Sequence, residues 1–170
     1  AHIAIQASIT GHLVFSTLHT NDTASAVTRL MDFGIQPFQI SSAMLGVVAV
    51  RLVRKLCPFC KEAYVPPDYE LKQLGITRED IPKYKIFRAG SGCERCMGMG
   101  YLDRTGVYEL LVFDDDIREL ILKTQDSTQI KKLAIKKKMR VLRESAFKKV
   151  LEGITSFDEA VKETQTDDLD

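Results

Sequence analysis

Apolar residues at helical spacing open the chain, give way to a short β-prone run, and return in helical stripes on the far side of a turn-rich middle. Ile3, Ala4 and Ala7 share one face of a helix over residues 1–8, which Thr10-Gly11 ends because glycine can turn left-handed. Residues 12–18, with Leu13, Val14 and Phe15 in a row, read as a buried strand of the parallel-sheet kind. Thr20, Asn21 and Asp22 offer caps to a helix striped by Ala24, Val27, Leu30 and Met31 and closed by Gly34. Pro37 opens a further helix carrying Ile40, Met44, Val47, Val48 and Leu52. This order predicts the trailing half of an α/β domain.

The pattern changes after Arg54-Lys55. Residues 57–104 are rich in glycine, proline and turns, with a short helix expected over 68–74 and Gly75 as its stop; residues 105–113 read as a strand. Amphipathic helices follow. Asp115 or Asp116 caps the first, which buries Ile117, Leu120 and Ile121, and Asp126 or Ser127 caps the second, which buries Ile130, Leu133 and Ala134. The third runs to Gly153 through Leu142, Ala146, Val150 and Leu151, and Ser156 with Glu159 forms a capping box for the last. The acidic residues 164–170 read as a frayed end. Three segments result: 1–55, 56–105 and 106–170.

The turn-rich middle holds all four cysteines, as Cys57-Pro58-Phe59-Cys60 and Cys93-Glu94-Arg95-Cys96. Two thiolates three residues apart can bend around one ion, and two such knuckles complete a tetrahedral sulfur shell with no open position for substrate. Gly98 and Gly100 suit the tight loop after the second knuckle. Two disulfides need an oxidising compartment, and residue 1 onward lacks the charged-then-apolar pattern of a secretory signal. A thioredoxin-type site needs one pair rather than two. Zinc is the expected occupant, and iron suits the same donors. The shell is structural, so any catalysis is placed elsewhere.

Composition narrows the partners. A net charge of +1 gives no global pull toward nucleic acid, and the apolar stretch 40–53 is too short to span a bilayer. A 170-residue chain that is 45% hydrophobic can bury a real core. Ala1 is not expected to be a natural start, and the chain is expected to be the rear part of a longer protein.

His12 and His19 flank the expected strand, and His19 stands at its carboxyl end, where α/β sheets gather ligands. There it can present an imidazole and helix N-terminal amides to an anion, or simply end the strand before Asn21 or Asp22 caps a helix. Leu110-Leu111-Val112-Phe113-Asp114-Asp115 imitates a Mg2+-binding strand, but a helical stripe follows directly and capping accounts for the acids. None of the ten glycines precedes a lysine, so the G-x-x-x-x-G-K-[ST] phosphate cradle is absent from these residues. The run Lys136-Lys137-Lys138-Met139-Arg140 reads as a solvated helix end. Arg51, Arg54 and Lys55 suit an inter-subunit or phosphate contact, and the residues alone do not decide.

Thr10-Gly11-His12-Leu13-Val14 with Ser16-Thr17-Leu18-His19-Thr20-Asn21 resembles the His box of the secretion ATPases of type II secretion and type IV pilus assembly. Ala26-Val27-Thr28-Arg29-Leu30, Val50-Arg51-Leu52-Val53-Arg54, Leu56-Cys57-Pro58-Phe59-Cys60, Gly92-Cys93 to Cys96, Gly100-Tyr101 and Arg104-Thr105-Gly106-Val107-Tyr108-Glu109-Leu110 continue the resemblance in order. Val50 departs from it, standing where many relatives have Gln.

The resemblance implies the C-terminal part of a RecA-like P-loop ATPase domain, a four-cysteine zinc subdomain and a helical C-terminal extension. It implies a hexameric motor whose phosphate loop and Mg2+-binding acid lie ahead of Ala1, using ATP and Mg2+. His19 would sit near the γ-phosphate, with His12 supporting the same box, and Cys57, Cys60, Cys93 and Cys96 would hold structural zinc. Export through a type II secretion system is the primary expectation and type IV pilus extension the alternative; the cysteines separate the chain from pilus-retraction ATPases. The 170 residues alone would form a catalytically inactive, zinc-stabilised interaction module. Expected partners are five further copies and the cytoplasmic parts of inner-membrane proteins, with no nucleic acid. The expected location is the cytoplasm, peripheral at the inner membrane.

Overall fold

The computed structural model describes residues 1–164, and the expectation for residues 165–170 lies outside them. Twelve main elements follow in order: α1 (His2–Ile9), α2 (Thr23–Asp32), α3 (Pro37–Ala43), β1 (Gly46–Leu56), β2 (Glu62–Ala63), α4 (Asp68–Leu74), β3 (Phe87–Arg88), β4 (Tyr101–Val112), α5 (Asp115–Lys123), α6 (Ser127–Lys136), α7 (Leu142–Leu151) and α8 (Phe157–Glu163). Short 3-10 turns occupy Arg78–Lys83 and Glu94–Cys96. The chain divides into two compact units. One comprises Ala1–Ala49 with Glu109–Val141, the other Val50–Tyr108 with Leu142–Asp170. Segment 106–170 therefore contributes to both.

The first unit is helical around one core. Ala24, Val27 and Leu30 of α2, Ile40 of α3, Ile117 and Ile121 of α5 and Ile130 and Ala134 of α6 are buried together with Ile5, Ile35, Leu111 and Phe113. Removing a side chain such as the fully buried Ile130 down to Ala costs about 2–5 kcal/mol. Asp22 caps α2 by accepting from Ser25 N, and Asp126 caps α6 by accepting from Thr128 N. The cap of α5 is Asp114, which accepts from Ile117 N at 3.1 Å, rather than Asp115 or Asp116. Lys137 bridges Asp114 and Asp116, so part of the basic run is spent on that helix start.

Two expectations fail here. The helix that Pro37 opens stops at Ala43, because Met44 takes an extended backbone, and Val47, Val48 and Leu52 belong to β1. β-branched valines favour the strand, and β4 supplies its ladder. Phe113 N donates to Leu45 O near one end of the β1–β4 ribbon and Cys57 N to Gly100 O at the other, so the two strands run antiparallel. Residues 12–18 form no strand. A parallel strand must satisfy its N–H and C=O groups on neighbours, and none of the described residues pairs with this stretch, which leaves Leu13 70% and Phe15 89% exposed.

The second unit pairs β2 with β3 antiparallel, Glu62 opposite Arg88 and Ala63 opposite Phe87. Helix α4 ends at Gly75, which takes φ +70°, the left-handed C-cap that glycine adopts without steric penalty. Phe157 of α8 stacks on Phe147 of α7 at 5.6 Å and meets Tyr69 edge-on at 6.4 Å. Ser156 caps α8 by accepting from Glu159 N, but the expected return bond from the Glu159 side chain is absent, because its carboxylate is engaged by Arg54. Among the described residues no helix is long and apolar enough to cross a membrane.

Candidate functional site

Two clusters carry chemistry, one in each unit. In the second unit the knuckles converge: the four sulfurs of Cys57, Cys60, Cys93 and Cys96 all lie within 4.8 Å of one another. Cys57 to Cys93, Cys60 to Cys96 and Cys93 to Cys96 are each 3.8 Å apart, well beyond a disulfide bond. A tetrahedron with metal–sulfur bonds of about 2.3 Å has edges of about 3.8 Å, so the spacing suits one central ion. Cys93 N and Gly100 N each reach Cys96 Sγ at 3.2 Å. These amides hold the Cys96 thiol down at about 6, whereas burial and its sulfur neighbours push Cys60 up to about 12. Four thiolates repel one another, and a dication resolves that repulsion.

The lobe is built to hold this shape. Leu56 N, just before the first knuckle, donates to Ile154 O at 2.8 Å, and Lys61 Nζ, just after it, donates to Gly153 O at 3.0 Å. The turn between α7 and α8 therefore grips the first knuckle from both flanks.

In the first unit, His19 opens on a cleft of about 290 Å³ along the start of α2, lined also by Thr20, Asn21, Ser25, Thr28, Arg29 and Asp32. Imidazole, amide, hydroxyl and guanidinium groups line this space, with Arg29 paired to Asp32 at 3.9 Å and the Thr20 and Thr28 hydroxyls donating to Asp22 O and Ser25 O. Such a set suits an oxyanion. His12 is not in the lining; its Nδ1 lies 3.3 Å from both Ala7 O and Thr10 Oγ1, against the end of α1. The α2 amides are less available than the sequence implied. Thr23 N donates to Glu109 Oε1 at 2.9 Å and Ser25 N to Asp22 Oδ1 at 2.8 Å, so anion recognition here falls mainly to side chains.

At the start of α2, Asp22 and Thr23 belong to a polar cluster that the sequence reading missed. Glu109 is fully buried and also accepts from Thr23 Oγ1 at 2.5 Å. Lys131 Nζ lies 3.0 Å from Asp22 Oδ2, with side chains 5% and 14% exposed. Burial opposes ionisation of Asp22, but the Ser25 and Lys131 hydrogen bonds outweigh it and hold its carboxyl below the ordinary value. Strand alternation was the available signal. Val107, Glu109 and Leu111 of β4 point one way, so a carboxylate in that register faces inward and needs partners.

The sequence profile of the family described as "Type II/IV secretion system protein" matches residues 1–162. The chain belongs to that family. It is 46% identical over 164 residues to the type IV pilus assembly ATPase PilB of Thermus thermophilus, covering 96% of this chain and 18% of that protein. Identity is 47% over 165 residues to the type II secretion system protein E of Pseudomonas aeruginosa and to the type II secretion system ATPase E of Vibrio cholerae, in each case 97% of this chain and 32% of the relative. The chain thus spans under a third of the length of these relatives. Its mixed α/β fold is shared with the crystal structure of the pilus retraction motor PilT with bound ADP, at a TM-score of 0.59, 21% identity, 95% of this chain and 35% of that one.

Proposed function

We propose that the full-length protein is a motor ATPase that hydrolyses ATP to drive protein export through a type II secretion system, and that these residues form its His box and metal lobe. The observation that carries this reading is His19 in the lining of a polar cleft, within a family match covering residues 1–162. Phosphoryl transfer asks of the protein mainly positioning and stabilisation of charge on phosphate oxygens. In this reading the bound nucleotide and Mg2+ are held chiefly by a phosphate loop ahead of Ala1. His19 donates a hydrogen bond toward the terminal phosphate and reports its presence to α2, while His12 supports the loop from the α1 side.

Cys57, Cys60, Cys93 and Cys96 hold zinc, which supplies no catalysis and braces the lobe. The motor is a homo-hexamer that sits in the cytoplasm at the inner membrane and pushes on the cytoplasmic parts of inner-membrane proteins. Type IV pilus extension is the second reading, favoured by the 46% identity to the Thermus thermophilus pilus ATPase. Deleting the gene and scoring exported protein against surface pili separates the two.

Phosphate release tests the core of the proposal. The full-length protein turns over ATP, the 170 residues alone do not, and His19→Ala lowers full-length turnover by about 100-fold with folding intact. Wild-type turnover by His19→Ala removes the role given to His19. Absence of ATP hydrolysis by the folded, assembled full-length protein removes the motor reading altogether.

A further inference from the structure

We propose that Glu109 and Lys131 are positioning residues for His19, gripping the start of α2 from behind so that the loop 19–22 presents its imidazole to the cleft in one orientation. The inference rests on the proposed role of His19 in hydrolysis and extends it to two residues that do not line the cleft.

Adjacent residues at the root of the loop are tied to different elements far along the chain. Asp22 is tied to Lys131 of α6, 109 residues away, and Thr23 to Glu109 of β4, 86 residues away. Thr23 is gripped twice, through its amide and its hydroxyl, by one carboxylate oxygen. The Asp22 carboxylate is split between Lys131 on Oδ2 and Ser25 N on Oδ1, and Thr20 Oγ1 donates to Asp22 O at 3.1 Å. His19 is three residues from Asp22, so a fully extended chain keeps their Cα atoms within about 11 Å. A shift of the anchored peptides therefore displaces the root of the short segment that carries the imidazole.

The chemistry suits alignment better than mere stability. A buried ion pair contributes little more than apolar residues of the same volume, because desolvation offsets the attraction. What the charged groups add is direction: each bond fixes one oxygen or one N–H, which packing of methyl groups cannot do. Glu109 also places its carboxylate on the first amide of α2, where the helix dipole favours negative charge. Catalysis by hydrogen bonding to a phosphate oxygen tolerates misplacement of about 1 Å poorly.

The test uses the full-length protein, with turnover measured by phosphate release and ATP affinity by titration with a non-hydrolysable analogue. Glu109→Ala and Lys131→Met are expected to lower kcat at least about ten-fold while KM and analogue affinity stay within about two-fold, and Glu109→Gln and Lys131→Arg to recover to within about three-fold of wild type. In hydrogen exchange, the amides of Thr23 and Ala24 open faster in Glu109→Ala. In the double variant with His19→Ala, adding Glu109→Ala causes no further loss, because both changes remove the same function. If Glu109→Ala does not fold, Thr23→Val, which deletes only the hydroxyl, and Lys131→Met carry the same comparisons.

Losses that multiply in the double variant, or wild-type kcat in the single anchor variants while His19→Ala is impaired, overturn the positioning role and leave His19 standing. Wild-type turnover by His19→Ala overturns the role of His19, and the anchor proposal with it.

Discussion

Arg54 and Glu159 meet through three hydrogen bonds: Arg54 N reaches Glu159 Oε1 at 2.9 Å, and its guanidinium Nε and terminal nitrogen reach Oε2 at 2.9 and 2.6 Å. The guanidinium carbon also lies 4.2 Å from the Tyr101 ring centroid, a cation–π arrangement. Thr155 Oγ1 donates back to Arg54 O at 2.7 Å, so one residue of β1 ties down the entry to α8. The basic cluster Arg51, Arg54 and Lys55 thus divides. Arg54 is structural, and Lys55 makes a loose surface pair with Asp103 at 3.9 Å.

Glu159→Ala should loosen α8 locally. Its carboxylate is 2% exposed, whereas Arg54 is 41% exposed and stays solvated when its partner is removed. The cost is therefore about 2 kcal/mol, below the 3–5 typical of breaking a fully buried pair. That corresponds to about thirty-fold faster hydrogen exchange in α8 at constant pH. Unchanged exchange in α8 would mean that aromatic packing by Phe157 alone holds the helix.

The same pair makes α8 acid-sensitive. Burial raises the Glu159 carboxyl, but the Arg54 side-chain and backbone hydrogen bonds prevail, and its folded pKa lies below the ordinary 4.5. A depressed carboxylate contributes stability that is complete above the unfolded value and lost as pH falls through the folded one. Protection of α8 should accordingly hold from pH 7 to about 5 and decline below about 4.5, with the decline absent in Glu159→Gln. An equal decline in Glu159→Gln assigns the acid sensitivity to another group.

What the sequence made legible depended on how local each cause was. Two knuckles of known spacing announce a sulfur cluster, Asp126 sits beside the amide it caps, and Gly75 marks its own left-handed turn. Ile40, Met44, Val47 and Val48 obey helical spacing, yet Met44 extends and β4 recruits the valines, a competition settled by partners 50 to 65 residues away along the chain. The strand expected at 12–18 had the right residues and no ladder among the described residues. Glu159 fits a capping box by position, but Arg54, 105 residues away, takes its carboxylate. Glu109 was read only as part of a motif, since its partner Thr23 lies on another element.

Cys57→Ser and Cys93→Ser should each abolish stoichiometric metal. The wild-type protein is expected to carry about one zinc per chain by elemental analysis, and each serine variant well under half, because a hydroxyl is a poor replacement for a thiolate. Metal binding energy supports folding, so the serine variants should also expose residues 57–104 to protease. One full equivalent of metal in both variants contradicts the four-sulfur shell.

Gly90→Ala tests whether close backbone contact, as well as sulfur, holds the lobe. A methyl at Gly90 would fall 1.9 Å from Cys60 O, and a carbonyl of the first knuckle cannot swing aside as a side chain can. The two backbones must separate, which pulls Cys60 away from Cys96, now 3.8 Å distant. The expected cost is about 3 kcal/mol or more, in the range of overpacking at a site that cannot yield. Gly98→Ala is the comparison. Its methyl meets nothing within 4 Å, and only the left-handed φ of +77° opposes it, at about 1 kcal/mol. Titration with a competing chelator should therefore strip metal from Gly90→Ala at far lower concentration than from Gly98→Ala. Equal chelator resistance in the two variants would show that the lobe can open at Gly90 without moving the sulfurs.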